Sequence, residues 1–206
     1  MIRLEAVVFD FGNVLSREPY RHDAEQMADK LGIDLESFNA LYWKYRNDYD
    51  RGVSSAHLYW SNIGLEAGCK LDNESVDSLI ALDVESWCRP NISMIEWAGL
   101  LARNAFKIGL LSNMPLDLML NLKQGCDWFP NFYHETFSCI EKSIKPEAKI
   151  YEHAFGGIAA SRESILFVDD RLENVDAAIK YGVHAVRFQD SNQLFGALKD
   201  RYDLPC

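Results

Sequence analysis

Apolar residues gather in short blocks along the chain rather than alternating one by one. Runs rich in Val, Ile, Leu and Phe occupy residues 4–9, 106–111 and 164–168, and each stops abruptly at polar residues: Asp10, Ser112-Asn113 and Asp169-Asp170. Runs of that length and composition predict strands buried on both faces, as in a parallel sheet covered by helices. Residues 184–188 predict a fourth strand and 136–139 a weaker fifth. Helical patterns lie between them over 91–104, 115–123 with Pro115 in the first turn, 146–155 opened by Pro146 and closed by Gly156-Gly157, and 172–181 closed by Gly182. Strand–helix alternation predicts an α/β fold with right-handed crossovers. Ligands of such sheets bind beyond the carboxyl ends of the strands, so three polar strand ends predict one site assembled from distant sequence.

Residues 17–89 break the alternation. They show no strand pattern and four helical ones, 21–31, 35–49, 55–67 and 73–86, with Asp34, Ser54 and Asp72 as the expected N-caps. The segment reads as a helical cap domain inserted after the first strand, leaving residues 1–16 and 90–206 as the core domain. Pro90 disfavours helix before it, so Trp87-Cys88-Arg89-Pro90 marks the return from cap to core and a hinge for cap closure.

Composition narrows the function classes. The 206 residues suit one compact domain or a core with a small insertion, and 48% hydrophobic with 25% charged residues is a globular balance. The net charge of −10 argues against nucleic acid and anionic membranes as partners. It also means that an anionic substrate needs a local device to bind. No apolar run approaches the ~20 residues of a bilayer span, and the N-terminus lacks a secretory pattern, so the expected location is cytoplasmic. The cysteines at 69, 88, 126, 139 and 206 are scattered, with no C-x-x-C, and are expected to be buried or incidental thiols. The five histidines form no ligand pattern. No long heptad repeat predicts a coiled-coil dimer, and a monomer or weak dimer is expected.

Four motifs carry candidate chemistry. In Val8-Phe9-Asp10-Phe11-Gly12-Asn13, a carboxylate at the end of a buried strand needs hydrogen bonds or a cation. Asp-x-Gly turns also occur for structural reasons alone. Ser112-Asn113 offers a hydroxyl and an amide at a strand end, which suit phosphate oxygens or a helix cap. Lys145, held out of helix by Pro146, can project from a loop end. Asp169-Asp170 sets two carboxylates side by side, a conflict that a hard divalent cation resolves.

Taken in this order and position, the motifs resemble those of the haloacid dehalogenase-like hydrolase superfamily over essentially the whole chain. The resemblance implies a Rossmann-like, doubly wound parallel sheet with an inserted helical cap, and phosphoryl transfer through an aspartyl-phosphate. It assigns Asp10 as nucleophile, with Lys145 balancing charge. It makes Ser112, Asn113 and Lys145, with Gly12 and Asn13, the phosphate binders. It gives Asp10, the Gly12 carbonyl, Asp170 and, nearby or through water, Asp169 as ligands of Mg²⁺. One departure stands out: phosphatases of the family carry a second Asp two residues after the nucleophile as general acid/base, and here that position is Gly12.

The wording Asp-Phe-Gly-Asn-Val-Leu, with Arg51-Gly52 and Asp169-Asp170-x3-Asn174, is similar to a subgroup that includes bacterial α-D-glucose-1-phosphate phosphatases. The expected function is a Mg²⁺-dependent phosphatase acting on a small phosphorylated metabolite, for example a sugar phosphate. The alternatives are a 2-haloacid dehalogenase, against which Gly12 and the Asp169-Asp170 pair argue, and a weakly catalytic phospho-ligand binder. An acid/base is worth ~10²–10⁴ in rate, so the missing acid asks for a good leaving group or for a proton from elsewhere, such as Glu18 or His22. Most cap aromatics, among them Tyr42, Tyr59 and Trp60, are expected to pack the cap's own core. Arg46 and Arg51 are expected to be exposed or site-lining, and together with Tyr49 are the candidates for substrate specificity.

Overall fold

The structure, a computed structural model, describes residues 1–129 and 131–205. Strands β1 (Ala6–Phe9), β2 (Lys107–Ser112), β3 (His134–Phe137), β4 (Ile165–Asp169) and β5 (His184–Arg187) form one sheet in the order β3-β2-β1-β4-β5. Every pairing is parallel. β1 and β4 are buried along their whole length, as expected for strands covered on both faces. Side chains alternate between the faces. Val7 and Phe9 pack with Leu110, Leu166 and Val168 on one side, and Ala6 and Val8 with Leu111, Ile165 and Phe167 on the other.

The first face is covered by Trp97 and Leu101 of α5 (Ile92–Arg103), Leu118 and Leu122 of α6 (Leu116–Gly125) and Leu194 of α10 (Ser191–Leu198). The second is covered by Ile150, Ala154 and Phe155 of α8 (Ala148–Gly157) and Ala178 of α9 (Leu172–Tyr181). Helices on both faces of a parallel sheet make the fold a doubly wound, Rossmann-like α/β architecture. A one-turn helix, α7 (Ser138–Glu141), follows β3. No helix among the described residues is long and apolar enough to cross a membrane.

The helices of the intervening segment are α1 (Arg21–Leu31), α2 (Leu35–Asp50), α3 (Ala56–Glu66) and α4 (Asn73–Trp87). They pack round a separate core that includes Met27, Phe38, Tyr42, Tyr49, Tyr59 and Trp60. The chain leaves and rejoins the sheet domain through two segments lying side by side. Ser16 and Pro90 form an antiparallel bridge, the Arg17 amide donates to the Arg89 carbonyl at 2.8 Å, and the Asn91 amide donates to the Leu15 carbonyl at 2.8 Å.

Local expectations differ from the structure in four places. Asp34 and Asp72 cap α2 and α4 as the sequence predicts, but Ser55 rather than Ser54 caps α3, accepting from the Leu58 amide at 3.2 Å. Helix α8 begins at Ala148 and runs through Gly156-Gly157 instead of ending there. Gly157 serves packing: a β-carbon at that position would run into the His134 ring. Helices α7 and α10 were not foreseen. Cys69, Cys88, Cys126 and Cys139 are free thiols, and Cys206 lies outside the described residues.

Candidate active site

Three strand ends and one loop converge beyond the carboxyl edge of the sheet. Asp10 follows the central strand β1, and its amide donates to the Val168 carbonyl of β4 at 2.9 Å, extending the sheet pairing by one residue. Asp169 ends β4, Ser112 ends β2, and Lys145 sits in the loop before α8. The geometry brings Lys145, Asp10 and Asp169 into direct contact. The Lys145 ammonium lies 2.7 Å from Asp10 Oδ1 and 2.7 Å from Asp169 Oδ2, and it donates to the Leu111 carbonyl at 3.1 Å. An ammonium has three donors, and all three are placed. The Lys145 side chain is 1% exposed.

Each carboxylate is held differently. Asp10 Oδ1 also accepts from the Phe11 amide at 2.7 Å, while Oδ2 carries no hydrogen bond among the described residues. Asp169 is fully buried and saturated, accepting from Lys145, from the Arg171 amide at 2.9 Å and from Asn174 Nδ2 at 2.9 and 3.1 Å. Asp170 accepts from Asn13 Nδ2 at 2.9 Å and lines the cavity. Burial pushes the Asp10 carboxyl up to about 8, against the pull of Lys145 and with further push from Asp169 and Asp170. Burial also raises Asp170, partly offset by the hydrogen bond from Asn13. Burial works to lower Lys145, but its two carboxylate partners outweigh that and raise it.

Carboxylate oxygens of Asp10, Asp169 and Asp170 all lie within 4.8 Å of one another. One ammonium against three carboxyls leaves a deficit of positive charge in a buried place. Oxygen donors of this kind suit a hard divalent cation, and the buried Asn13 Oδ1 also has no partner among the described residues. The donor set therefore fits Mg²⁺.

The adjoining cavity, about 390 Å³, is lined from the sheet side by Asp10, Gly12, Asn113 and Lys145 and from the helical segment by Trp43, Arg46, Asn47 and Trp87. Asn113 is engaged at both ends of its amide. Oδ1 accepts from the Lys145 amide at 2.8 Å and Nδ2 donates to the Lys145 carbonyl at 3.1 Å. It therefore fixes the Lys145 backbone. Ser112 is 1% exposed and pairs with Phe137 in the sheet.

The specificity candidates differ most from expectation. Arg46 is buried, with ion pairs to Asp50 at 2.7 Å and Asp83 at 3.3 Å, though its side chain still borders the cavity. A guanidinium inside the helical bundle requires such partners. Tyr49 is also buried, stacked on Tyr59 at 4.4 Å, and its hydroxyl donates to Asp117 at 3.2 Å. Arg51 faces the sheet domain, where it pairs with Glu147. Of the suggested proton donors, Glu18 is exposed at a neighbouring cavity and His22 points to Gln26 and Glu25 on its own helix. The sequence reading placed Trp87 at the return from the helical segment but missed its contact with Gly12. A β-carbon at position 12 would lie 3.2 Å from Cζ3 of its ring, so the indole fills the space beside Gly12.

Comparison with known proteins gives a consistent family. A family model described as haloacid dehalogenase-like hydrolase matches residues 4–182. The sesquiterpene phosphatase astK of Aspergillus oryzae is 25% identical over 91% of this chain and 91% of its own length. Flavin mononucleotide hydrolase 1 of Arabidopsis thaliana is 24% identical over 96% of this chain and 78% of its own. Among solved structures, an Asp-to-Ala variant of a Bacteroides thetaiotaomicron HAD family enzyme, in complex with magnesium and inorganic phosphate, superposes with a TM-score of 0.74. It is 16% identical and covers 93% of this chain and 99% of that one. L-2-haloacid dehalogenase of Xanthobacter autotrophicus gives 0.67 at 17% identity, covering 98% and 85%.

Proposed function

The chain belongs to the haloacid dehalogenase-like hydrolases, and we propose that within them it is a Mg²⁺-dependent phosphomonoesterase acting on a small phosphorylated metabolite. The observation that carries this reading is the Lys145 ammonium shared between Asp10 and Asp169 at 2.7 Å each, beside Asp170. The two phosphatase and hydrolase relatives act on phosphorylated small molecules by their names, and this supports the same class of substrate here.

In this reading Asp10 is the nucleophile. Its Oδ1 is pinned by Lys145 and the Phe11 amide, which orients Oδ2 as the oxygen free to attack phosphorus. The bond to the leaving oxygen breaks, and water then hydrolyses the aspartyl-phosphate and restores the carboxylate. Lys145 pulls Asp10 toward its ionised form, against the push of burial, and meets the negative charge of the transferred group. The backbone of Gly12 and Asn13 and the hydroxyl of Ser112 contribute to holding phosphate, and Asn113 contributes by fixing Lys145. Asp10, Asp170 and the Gly12 carbonyl would hold Mg²⁺, which when bound neutralises charge on the phosphoryl oxygens. Asp169, already saturated, acts by positioning Lys145. Residues 17–89 serve as the cap, closing the cavity against water.

The test is release of inorganic phosphate from a metabolite set, with and without EDTA, alongside halide release from 2-haloacids. Phosphate release that disappears with EDTA and in Asp10→Asn supports the scheme. Halide release that survives EDTA would replace it with the dehalogenase reading. Mg²⁺-linked binding of phosphorylated compounds with no turnover would replace it with the binding reading.

A further inference from the structure

A second cavity, about 460 Å³, lies beside the first, bordered by α1, α2 and residues 18–20. The two share Asn13, Trp43 and Trp87, so a molecule whose phosphate sits at Asp10 has its remaining bulk directed there. Resting on the phosphatase reading above, we infer that this second cavity receives the leaving group, and that the leaving group is a flat apolar ring carrying an acidic hydroxyl, so that the substrate is an aryl phosphate.

The lining sets the chemical class. Met27, Leu35, Phe38, Trp43 and Trp87 supply apolar and aromatic surface. A cavity of this volume and character is typical of small-molecule sites, which are mostly apolar with few polar groups. Two of the polar groups on this lining, the Trp87 indole N–H and the Tyr42 hydroxyl, are already used. Trp87 Nε1 donates to the Tyr42 hydroxyl at 3.1 Å, and that hydroxyl donates to Asp83 at 2.7 Å. Arg21 at the rim is paired with Glu25 at 2.7 Å. A sugar entering here would find Asn13, Glu18 and Asn39 for its hydroxyls, but would also have to lay them against the apolar side chains that share the lining. A ring would instead lie against indole faces, an arrangement aromatic surfaces favour.

The position beside Gly12 leads independently to the same class. The Trp87 ring fills the space that a side chain at residue 12 would take, so no carboxyl from that position reaches the leaving oxygen. As Asp10 forms its bond to phosphorus, the bond to the ring oxygen breaks and the electron pair departs on that oxygen. It leaves as an anion and takes its proton from solvent afterwards. A phenolic oxygen holds its proton at a pKa near ~10. Water holds its own at ~15.7, and simple alcohols are close to water. Departure without an acid is therefore feasible for an aryl oxide and slow for an alkoxide.

Steady-state kinetics of the full chain with Mg²⁺ test the inference on acetyl phosphate, 4-nitrophenyl, phenyl and 2-naphthyl phosphates, glycerol phosphate and glucose 1-phosphate. Acetyl phosphate is small and has an acidic leaving group, so it reports on Asp10 and Lys145 alone, and no turnover of it would overturn the phosphatase reading itself. Given that turnover, the expected result has two parts. kcat/KM for 2-naphthyl phosphate exceeds that for glucose 1-phosphate by at least ~10², and it falls from nitrophenyl to phenyl phosphate. Ala24→Phe, which places a ring into the cavity from a half-buried position, should lower the naphthyl-to-acetyl ratio by ~10-fold or more. Trp43→Ala, at a side chain 55% exposed, should lower the same ratio without threatening the fold. Preference for glucose 1-phosphate or glycerol phosphate, or ratios unmoved by both variants, would overturn the inference and leave the phosphatase reading standing.

Discussion

Arg51, just after α2, grips Glu147, just before α8, with two parallel hydrogen bonds, Nη1 to Oε2 at 2.8 Å and Nη2 to Oε1 at 2.7 Å. The pair ties the helical segment to the loop that carries Lys145, and Ser143 Oγ adds a hydrogen bond to Glu147 at 2.8 Å. The Arg51 guanidinium holds the Glu147 carboxyl down at about 2. A depressed carboxyl stabilises the fold fully above its unfolded value and loses that contribution as pH falls toward the folded one. Thermal melts of wild type and Glu147→Gln should therefore differ at pH 7 and converge between about pH 4.5 and 2. The gap at pH 7 should be at most ~1 kcal/mol, because the pair is partly exposed. A gap that grows on acidification would contradict the assignment.

Replacing the proposed nucleophile separates chemistry from folding. Asp10→Asn keeps a polar group of similar shape that still accepts from the Phe11 amide. Phosphate release should fall by at least ~10⁴-fold, with the circular dichroism spectrum unchanged.

Beyond its proposed chemical role, Lys145 is structural. Lys145→Met removes the ammonium between Asp10 and Asp169 and leaves two buried carboxyls without that cation. Urea denaturation should show a loss of about 3–5 kcal/mol. A variant as stable as wild type would mean that the buried charges are balanced some other way.

Metal linkage has its own signature. Mg²⁺ at 100 times its dissociation constant should stabilise the wild-type fold by about 2.7 kcal/mol. The shift should vanish in Asp170→Ala, whose carboxylate borders the cavity. Differential scanning with and without Mg²⁺ reads it without any substrate present.

Restoring the family's acid by itself should fail. In Gly12→Asp the new β-carbon meets the Trp87 ring at 3.2 Å, so the single variant should lose about 1–3 kcal/mol by overpacking. It should not gain turnover of glycerol phosphate. Adding Trp87→Ala opens room for the carboxyl, and the double variant should hydrolyse glycerol phosphate faster than the single one.

The sheet was legible because buried parallel strands are written as short apolar runs, and because Asp10, Ser112 and Asp169 stand where those runs stop. The adjacency of Asp10 and Asp170 follows from that placement, whereas Lys145 is marked only by the resemblance of the motifs as a set. What the sequence hid were partners of long charged and aromatic side chains. Arg46 meets Asp83 and Arg51 meets Glu147, and nothing local marks a partner 37 or 96 residues away. The ring of Trp87 over Gly12 is a contact of the same kind. Helix α10 was a different miss, since its signal was local. Asp190 accepts from the Gln193 amide at 2.9 Å and Gln193 Oε1 accepts from the Gln189 amide at 3.2 Å, and an acid or hydroxyl followed three residues later by Glu or Gln announces a helix start.

The bridge between Ser16 and Pro90 places both ends of the four-helix segment next to each other. An excursion that departs and returns at one spot can grow, shrink or be exchanged by recombination without rethreading a strand. The side chains that the helical segment lends to the cavity can thus change while the ends of β1, β2 and β4 keep their wiring. A transplant of residues 17–89 from a relative is the laboratory version of that freedom.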